Sequence, residues 1–334
     1  MIKIKEEVFY YYFYFVQERM NIFWNRYYLK EKPWTNDSIL SNYKFTNVYR
    51  SSDRVSQYLI KNVIYQKNES LNERDILFRI LFFKIFNKIE TWEFIENKIG
   101  FLKIDNFKLP NINQILTRRR SDKPIFNNAY MMTGTHSKYN HLQYKHEKWL
   151  QMVLKEIIEN KVLENILKAK SFENVYFLLR NCSFIGDFLA YQYAIDFNYS
   201  PVINFSEDSF VKAGIGSIRG IKKCFEKLDN YSFEDAIRFT HENFEKYQEK
   251  FSNTKFITLF GRDPTLIDIQ NCFCETDKYL RAKMPALHVG NVRIKQKYKE
   301  TNQPLNFFFP PKWGINSKIN NQCSLQNTPE LTLF

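Results

Sequence analysis

The sequence predicts a mostly α-helical protein, with one domain of two helical lobes over residues 1–300 and an irregular tail over residues 301–334. Three observations predict this class. Apolar residues recur at helical spacing over long stretches. Only 9 glycines and 10 prolines interrupt the 334 residues, and no two strand patterns are joined by a tight hairpin turn. A hydrophobic content of 44% excludes an intrinsically disordered chain.

The predicted helices follow from local patterns along the chain. The apolar run at 8–16 is far shorter than the roughly 20 residues of a membrane span, so we expect a buried first helix. A second buried helix is predicted at 76–89, and one continuous helical stripe covers 147–168. A Ser-x-x-Asp pattern starts a helix at 232–246, and Asp-Pro-Thr opens another that runs over 263–283.

Loops are predicted where polar residues, glycine and proline cluster. These segments are 31–37, 105–113, 118–128 and 133–140. The last dozen residues of the tail are polar, and we expect them to be frayed.

The net charge of +13 favours an anionic partner, and nucleic acid is the first candidate. The alternative is a base composition of the genome that makes lysine codons frequent. Five cysteines without CxxC spacing indicate neither a zinc site nor a disulfide framework, so we expect a reducing, cytoplasmic setting. His136, His141 and His146 do not share a helical face, so we expect no metal site. We also expect no organic cofactor and no membrane contact.

Two short helices are predicted over Phe172–Arg180 and Asp187–Phe197, with a break between them. This order resembles the helix-hairpin-helix of DNA glycosylases, whose turn offers backbone N–H groups to a DNA phosphate. The resemblance implies DNA contacts at Ser183 and Gly186. The usual turn has two glycines, and Phe184 occupies the place of the first.

The same resemblance implies a catalytic aspartate about 20 residues beyond the hairpin. Asp208 lies 22 residues after Gly186, in an Asp-Ser-Phe-Val context. A carboxylate there would stabilise positive charge on the sugar or orient water during cleavage of an N-glycosidic bond. The alternative is a helix N-cap. Phe188 stands where bifunctional glycosylases carry a nucleophilic lysine, which favours a monofunctional enzyme.

Three glycines fall within seven residues at Gly214, Gly216 and Gly220. We expect a loop that approaches DNA closely, with Arg219 and Lys222 supplying positive charge. The alternative is an ordinary turn before a helix. The segment is not a Walker A loop, whose pattern is absent from the whole sequence.

A basic run at Arg118, Arg119 and Arg120 is a further candidate for phosphate contact. The alternative is a solvated basic loop.

Further candidates for catalysis or a base pocket combine helix spacing with aromatic character. Asp268, Asn271 and Glu275 share one helical face, which either lines a pocket or is solvated. Tyr130 and Phe210 are aromatic residues near polar loops, where they would stack on a flipped base unless they belong to the core.

Several sequence blocks together resemble one family, the α-glutamyl/putrescinyl-thymine pyrophosphorylases. Their helical domain is also known from 5-hydroxymethyluracil DNA kinases. The similarity spans roughly residues 20–285, and the blocks are Trp34–Asp37, Tyr43–Arg54, Asn127–Tyr130, Phe188–Asp196, Gly214–Gly220 and Asp268–Arg281.

This resemblance implies double-stranded phage DNA with modified bases as the partner. Some members resemble anti-phage glycosylases, so we expect a DNA glycosylase that excises a hydroxymethylated or glucosylated pyrimidine and leaves an abasic site. Two alternatives remain. The chain is a transferase of hydroxymethylpyrimidine hypermodification, for which no donor site is visible, or a non-enzymatic reader of modified DNA.

Overall fold

The computed structural model describes residues 2–66, 71–128, 132–252, 254–287, 289–290, 294, 296–299 and 305–319. Within these ranges two short strands, β1 (Lys3–Ile4) and β2 (Phe225–Lys227), pair antiparallel. The described residues also form fourteen α-helices: α1 (Glu6–Tyr27), α2 (Ser38–Asn42), α3 (Arg54–Tyr58), α4 (Glu73–Phe86), α5 (Ile89–Ile99), α6 (Leu109–Asp122), α7 (Lys145–Met152), α8 (Val162–Leu167), α9 (Phe172–Arg180), α10 (Asp187–Asn198), α11 (Ile215–Cys224), α12 (Phe233–Glu242), α13 (Phe244–Phe251) and α14 (Leu266–Lys283). The mostly α-helical class is confirmed. No described helix is long and apolar enough to cross a membrane.

The chain forms two compact units. The terminal unit combines residues 1–53 with 211–334, and the central unit comprises residues 54–210. The single domain expected over residues 1–300 remains a prediction.

In the terminal unit, α14 lies against α1, α2, α11 and α12. The aromatic run at the start of α1 is buried, as predicted, with Phe9, Phe13 and Val16 fully inside. The Tyr12 hydroxyl donates to the backbone oxygen of Ile269 in α14 (3.2 Å), which satisfies a polar group in an otherwise apolar interface.

The glycine-rich segment is not the expected loop, because residues 215–224 form helix α11 after an N-cap at Gly214. A Cβ atom on Gly216 would lie 2.2 Å from the Cys274 sulfur, and one on Gly220 would lie 2.1 Å from the Phe273 carbonyl oxygen. These two glycines therefore let α11 and α14 approach closely. Helix packing explains them without a DNA contact.

The core of the central unit is built around α4, whose residues from Leu77 to Phe86 are all buried. A helix that is apolar on every side is typical of the interior of a domain. Its buried Lys84 ammonium lies 3.3 Å from the Asp196 carboxylate of α10, which pairs a charge that burial would otherwise penalise.

The helix predicted over 147–168 is interrupted, although most of its apolar residues are buried. A π-helical turn at Val153–Ile158 follows α7, and Lys161 adopts a left-handed conformation (φ 55°) before α8. Apolar periodicity does not detect such a break, because both segments keep the same face toward the core.

Two loop predictions are wrong where α6 runs, over parts of 105–113 and 118–128. Pro110 lies in the first helical turn, where its missing N–H is not needed, so it starts the helix instead of preventing it. The helix predicted over 232–246 begins at the expected capping box but ends at Glu242, and α13 follows after Asn243.

Part of the tail packs on the terminal unit. Phe307 lies against Phe23 with ring centroids 5.1 Å apart, and Phe309 lies 6.0 Å from Phe260. Both tail phenylalanines are buried, so this segment contributes to the core. The frayed end that we expect over the last dozen residues lies outside the described residues.

Candidate functional site

Three of the sequence blocks meet in the terminal unit. Residues 34–37, 43–53 and 268–281 lie together against α1 and are joined by hydrogen bonds. We call the central part of this arrangement the Asp53 cluster, which consists of Arg19, Thr46, Asn47, Asp53, Asn271 and Glu275.

Hydrogen bonds between separate segments hold the Asp53 cluster together, and two of them join residues 225 or more positions apart. The Thr46 N–H donates to Glu275 Oε2 (2.9 Å), and Asn271 Nδ2 donates to the Thr46 hydroxyl (3.1 Å). Arg19 Nη2 donates to Asn47 Oδ1 (2.7 Å). Asn271 and Glu275 therefore face the 43–53 segment and do not form the solvated surface that was the alternative.

Asp53 is the described carboxyl group whose pKa is clearly raised. Burial is the main cause that raises the pKa of Asp53, and the nearby Glu275 carboxylate acts in the same direction. The Asn47 N–H and Arg19 oppose the shift, and the net result is a pKa of about 7. The Asn47 N–H donates to Asp53 Oδ1 (2.9 Å). The residue as a whole is half-buried. A carboxyl group of this kind can exchange a proton near neutral pH.

Asp268, which the sequence suggested as a catalytic or pocket residue, accepts hydrogen bonds from two separate segments of the chain. Its Oδ1 accepts from the Arg50 N–H (3.0 Å), and its Oδ2 accepts from the N–H and hydroxyl of Thr265 in the capping box of α14. Asp268 therefore starts α14 and holds the 50–52 turn on it.

A second carboxylate network beside the Asp53 cluster was not predicted. Asp37 caps α2 through Oδ1, and its Oδ2 accepts from the hydroxyls of Tyr14 (3.1 Å) and Tyr279 (2.7 Å). Burial, and then the Asp37 charge, raises the pKa of both tyrosines well above the usual value. In the sequence, Asp37 has the pattern of a capping residue before a short helix. That pattern does not show that Tyr14 and Tyr279 donate hydrogen bonds to its carboxylate.

The two helices of the hairpin, α9 and α10, lie where the sequence predicted them. The turn between them is held by Glu156, whose Oε2 accepts from the Ser183 N–H (2.7 Å) and whose Oε1 accepts from the Ser183 hydroxyl (2.6 Å). Although burial raises the pKa of Glu156, these bonds outweigh it and hold the pKa below its usual value. Both polar groups of Ser183 are therefore engaged inside the protein, and its expected phosphate contact remains a prediction.

Phe184 occupies the glycine position of the turn in a left-handed conformation (φ 67°). This conformation is unfavourable for a side chain with a Cβ atom. The buried Phe184 ring stacks on Trp149 at 5.2 Å, which offsets the strain.

A pocket of about 330 Å³ opens at the turn. Lys138, Arg180, His136 and the 181–186 backbone line it. Glu156 pairs with Lys138, and Asp187 pairs with Arg180, so the pocket is close to charge balance. Gly186 is the N-cap of α10, and its DNA contact remains a prediction.

The predicted catalytic Asp208 lies on an exposed turn, where its N–H donates to the Ser206 hydroxyl (3.3 Å). It neither caps a helix nor lies in a pocket that the structure describes. Phe210 is half-buried and packs against Phe172 and Tyr176 in the central unit, and its stacking on a flipped base remains a prediction. Tyr130 lies outside the described residues.

The predicted phosphate-binding cations fall into two groups. Arg118, Arg119 and Arg120 lie on α6, and the Arg118 and Arg120 side chains are exposed. The guanidinium of Arg119 lies over the Phe94 ring at 4.3 Å. In the terminal unit, Lys222 is exposed on α11.

Arg219 differs from these exposed cations, because its Nε lies 3.3 Å from the carboxylate of buried Asp277. The DNA contacts expected of these side chains, and of Gly214 at the start of α11, remain predictions.

Among the described residues, no group of three or more His, Cys, Asp or Glu side chains is arranged to hold a metal ion.

Comparison with known proteins identifies the kind of domain. Residues 6–289 match the model of the helical domain of 5-hmdU DNA kinase. The chain is 25% identical over 286 residues to the 5-hmdU DNA kinase of Bacillus phage SP10, which covers 80% of this chain and 44% of that kinase. The chain thus spans less than half the length of this curated relative. No solved structure matches it.

These matches overturn the expected glycosylase activity. Both matches carry the name of a 5-hmdU DNA kinase, and neither is to a hydrolase of N-glycosidic bonds. The expected base excision and its abasic product are therefore wrong. Asp208 lies in an exposed position, and a role for it in a functional site remains a prediction. The resemblance to glycosylases stays a prediction. The resemblance to the helical domain of 5-hydroxymethyluracil DNA kinases is confirmed, and the chain belongs to the family of the 5-hmdU DNA kinase helical domain.

Proposed function

We propose that this chain is the DNA-engaging helical part of a phosphotransferase that acts on 5-hydroxymethyluracil in DNA. The observation that carries the proposal is the family match over residues 6–289, supported by the relative named 5-hmdU DNA kinase. The net charge of +13 suits a polyanionic substrate.

In this proposal the helical domain holds the acceptor DNA. Phosphoryl transfer is mainly a matter of positioning and charge stabilisation around the donor phosphates. The sequence contains no Walker A pattern. We therefore assign the binding of the phosphate donor to a site outside residues 6–289.

We assign Asp53 as the base that takes the proton from the acceptor hydroxyl group of the DNA. The hydroxymethyl oxygen attacks the terminal phosphorus of the donor, the bond from that phosphorus to the leaving nucleotide breaks, and the hydroxyl proton passes to the Asp53 carboxylate. A base with a pKa near the working pH is best suited to this transfer. The pKa of about 7 and the half-buried position of Asp53 support the assignment.

The test is DNA binding by the purified chain. Three fluorescent duplexes of identical sequence contain thymine, 5-hydroxymethyluracil or 5-hydroxymethylcytosine, and affinity is measured by anisotropy at pH 8. We expect the tightest binding to the 5-hydroxymethyluracil duplex, since the Asp53 carboxylate accepts a hydrogen bond from its hydroxyl group. Asp53→Asn should reduce this preference and leave the affinity for the thymine duplex unchanged.

Asp263→Asn is the matched control, because Asp263 is an exposed aspartate of the same unit. It should keep the preference. Failure of the wild-type chain to bind any duplex would refute the proposed function. Binding with a preference that Asp53→Asn leaves intact would refute only the assignment of Asp53.

A further inference from the structure

Exposed apolar side chains gather at the end of α1. Tyr28, Leu29 and Ile257 are 59%, 60% and 55% exposed. The Tyr28 ring stacks on Trp24 with the ring centroids 5.6 Å apart, and the Trp24 indole N–H donates to the Ile257 carbonyl oxygen (3.1 Å). Tyr28 and Ile257 are therefore joined through one buried tryptophan. We call Tyr28, Leu29 and Ile257 the Tyr28 surface.

Hydrogen bonds fix the backbone of the turn after α1. The Leu29 N–H donates to the Arg26 carbonyl oxygen (3.2 Å), and the Lys30 N–H donates to that of Asn25 (2.9 Å). The indole N–H of Trp34 donates to the Lys30 carbonyl oxygen (2.9 Å). A ligand that binds here therefore meets a turn that is already ordered, which lowers the entropic cost of binding.

Leu29 combines exposure with backbone strain. It adopts a left-handed conformation (φ 53°), which is unfavourable for a residue with a Cβ atom. Glycine or asparagine is the usual residue in this conformation after a helix. Neither the strain nor the exposure of the leucine side chain stabilises the fold. The two features together are typical of a surface that contacts a ligand.

Positive charge surrounds the Tyr28 surface. Four cations lie within three residues of it in the sequence, namely Arg26, Lys30, Lys32 and Lys255. Lys30 and Lys255 are exposed. The Arg26 guanidinium and the Lys32 ammonium each lie 5.1 Å from the centroid of the Trp34 ring. Glu31 is the one acidic residue in the same stretches of sequence. The surroundings therefore favour an anionic ligand.

The Tyr28 surface lies on the helix that also contributes Arg19 to the Asp53 cluster. Arg26 follows Arg19 by seven residues, so the two side chains share one face of α1. Burial lowers the pKa of Arg19, and the Arg26 charge acts in the same direction, whereas Asp53 and Glu275 oppose the shift. Seven helical residues span about 10 Å, which is about the length of three stacked nucleotides. One DNA strand can therefore reach both places.

Exposed aromatic rings beside cations suit single-stranded nucleic acid. A base stacks on the ring through its flat face, and cations bind the phosphates of the same strand. In a duplex, neighbouring bases cover these faces, so such a surface favours single strands.

We propose that the Tyr28 surface binds single-stranded DNA next to the acceptor base, with one base stacked on Tyr28 and phosphates held by Lys30 and Lys255. The choice of DNA as the partner rests on the proposed function.

The test measures affinity for a fluorescent oligothymidylate, and for a thymine-containing duplex of the same length, by anisotropy. We expect Tyr28→Ala to weaken binding of the single strand by about tenfold and to leave the duplex affinity unchanged. Tyr28→Phe keeps the ring and should bind as wild type. Tyr231→Ala is the matched control, because Tyr231 is a 50% exposed tyrosine of the same unit.

A second variant tests the charge. Lys30→Gln should lower the dependence of single-strand affinity on salt by about 0.7, the value for one lost phosphate contact. Melting temperatures show whether each variant is folded. If Tyr28→Ala does not fold, an unchanged salt dependence in Lys30→Gln overturns the proposal.

Equal single-strand affinity of Tyr28→Ala and Tyr231→Ala overturns the proposal. An equal loss of affinity for single strand and duplex overturns it too, since binding then does not depend on exposed base faces. Binding to phosphatidylserine vesicles that Tyr28→Ala abolishes, with single-strand affinity intact, would assign the surface to a membrane instead. A wild-type chain that binds neither DNA refutes the proposed function as well. Duplex binding that depends on Asp53, without an effect of Tyr28→Ala on the single strand, refutes only the role of the Tyr28 surface.

Discussion

At Asp53, burial and positive charge act in opposite directions on one carboxyl group. Burial and Glu275 favour the protonated form, whereas Arg19 and the Asn47 N–H favour the charged form. The result is a pKa of about 7, far above the roughly 3.9 of an aspartate in an unfolded chain. The same residue therefore couples the stability of the terminal unit to pH.

We predict that the free energy of unfolding of the terminal unit falls as pH rises from about 4 to about 7, because only the folded state holds the Asp53 proton in this range. The slope from this group is at most about 1.4 kcal/mol per pH unit. Urea unfolding of wild type and Asp53→Asn between pH 5 and 8 measures it. Asp53→Asn should show a flatter pH profile, and parallel profiles for the two proteins would contradict the raised pKa.

At the scale of elements, the close approach of α11 and α14 depends on two glycines. Gly216 and Gly220 lie four residues apart on α11 and face Cys274 and Phe273 of α14. The same helix pair contains the buried Asp277 carboxylate. Close packing of the two helices therefore also brings Arg219 and Lys223 to the carboxylate on α14.

We predict that Gly220→Ala destabilises the terminal unit by more than about 1 kcal/mol, because its Cβ would lie 2.1 Å from a backbone oxygen of α14. In an exposed helix the same change stabilises by roughly 0.5–1 kcal/mol, so the sign of the effect is diagnostic. Chemical denaturation gives the value. Lys222→Ala, at an exposed position of the same helix, should change stability by less than about 0.5 kcal/mol.

For the whole molecule, the proposed function together with the +13 charge predicts a DNA affinity that depends on salt. The logarithm of the affinity should fall linearly with the logarithm of salt concentration, by about 0.9 for each neutralised phosphate. We predict that replacing Arg118 and Arg120 together by glutamine lowers this slope by about 1–2. Lys155→Gln, whose lysine pairs with Glu159, is the control. An unchanged slope in the double variant would remove α6 from the DNA interface.

The sequence predicted those elements whose residues act locally. The buried helix α1, the capping box of α12 and the hairpin of α9 and α10 depend on periodicity and capping within a few residues. The family resemblance was also visible, because blocks such as 43–54 and 268–281 are specific in their residues. The glycosylase activity was wrong, since it rested on the spacing of Asp208 from a hairpin, and spacing does not show whether a carboxylate faces a pocket.

The candidate site was only partly visible for a physical reason. Asp268, Asn271 and Glu275 were identified by their shared helical face, but their partners lie 218 or more residues away in the chain. The glycines of α11 looked like a loop, because the close contact that requires them lies on another helix.

The helical class, the positive charge, the positions of most helices and the family could be predicted from the sequence. The three-dimensional arrangement was needed to show which charges are buried together, and so which carboxyl group holds a proton near neutral pH. It also showed that three cations share Asp277. The reason is that hydrogen bonds along the backbone and helical periodicity are local, whereas burial and charge pairing arise only when distant segments meet.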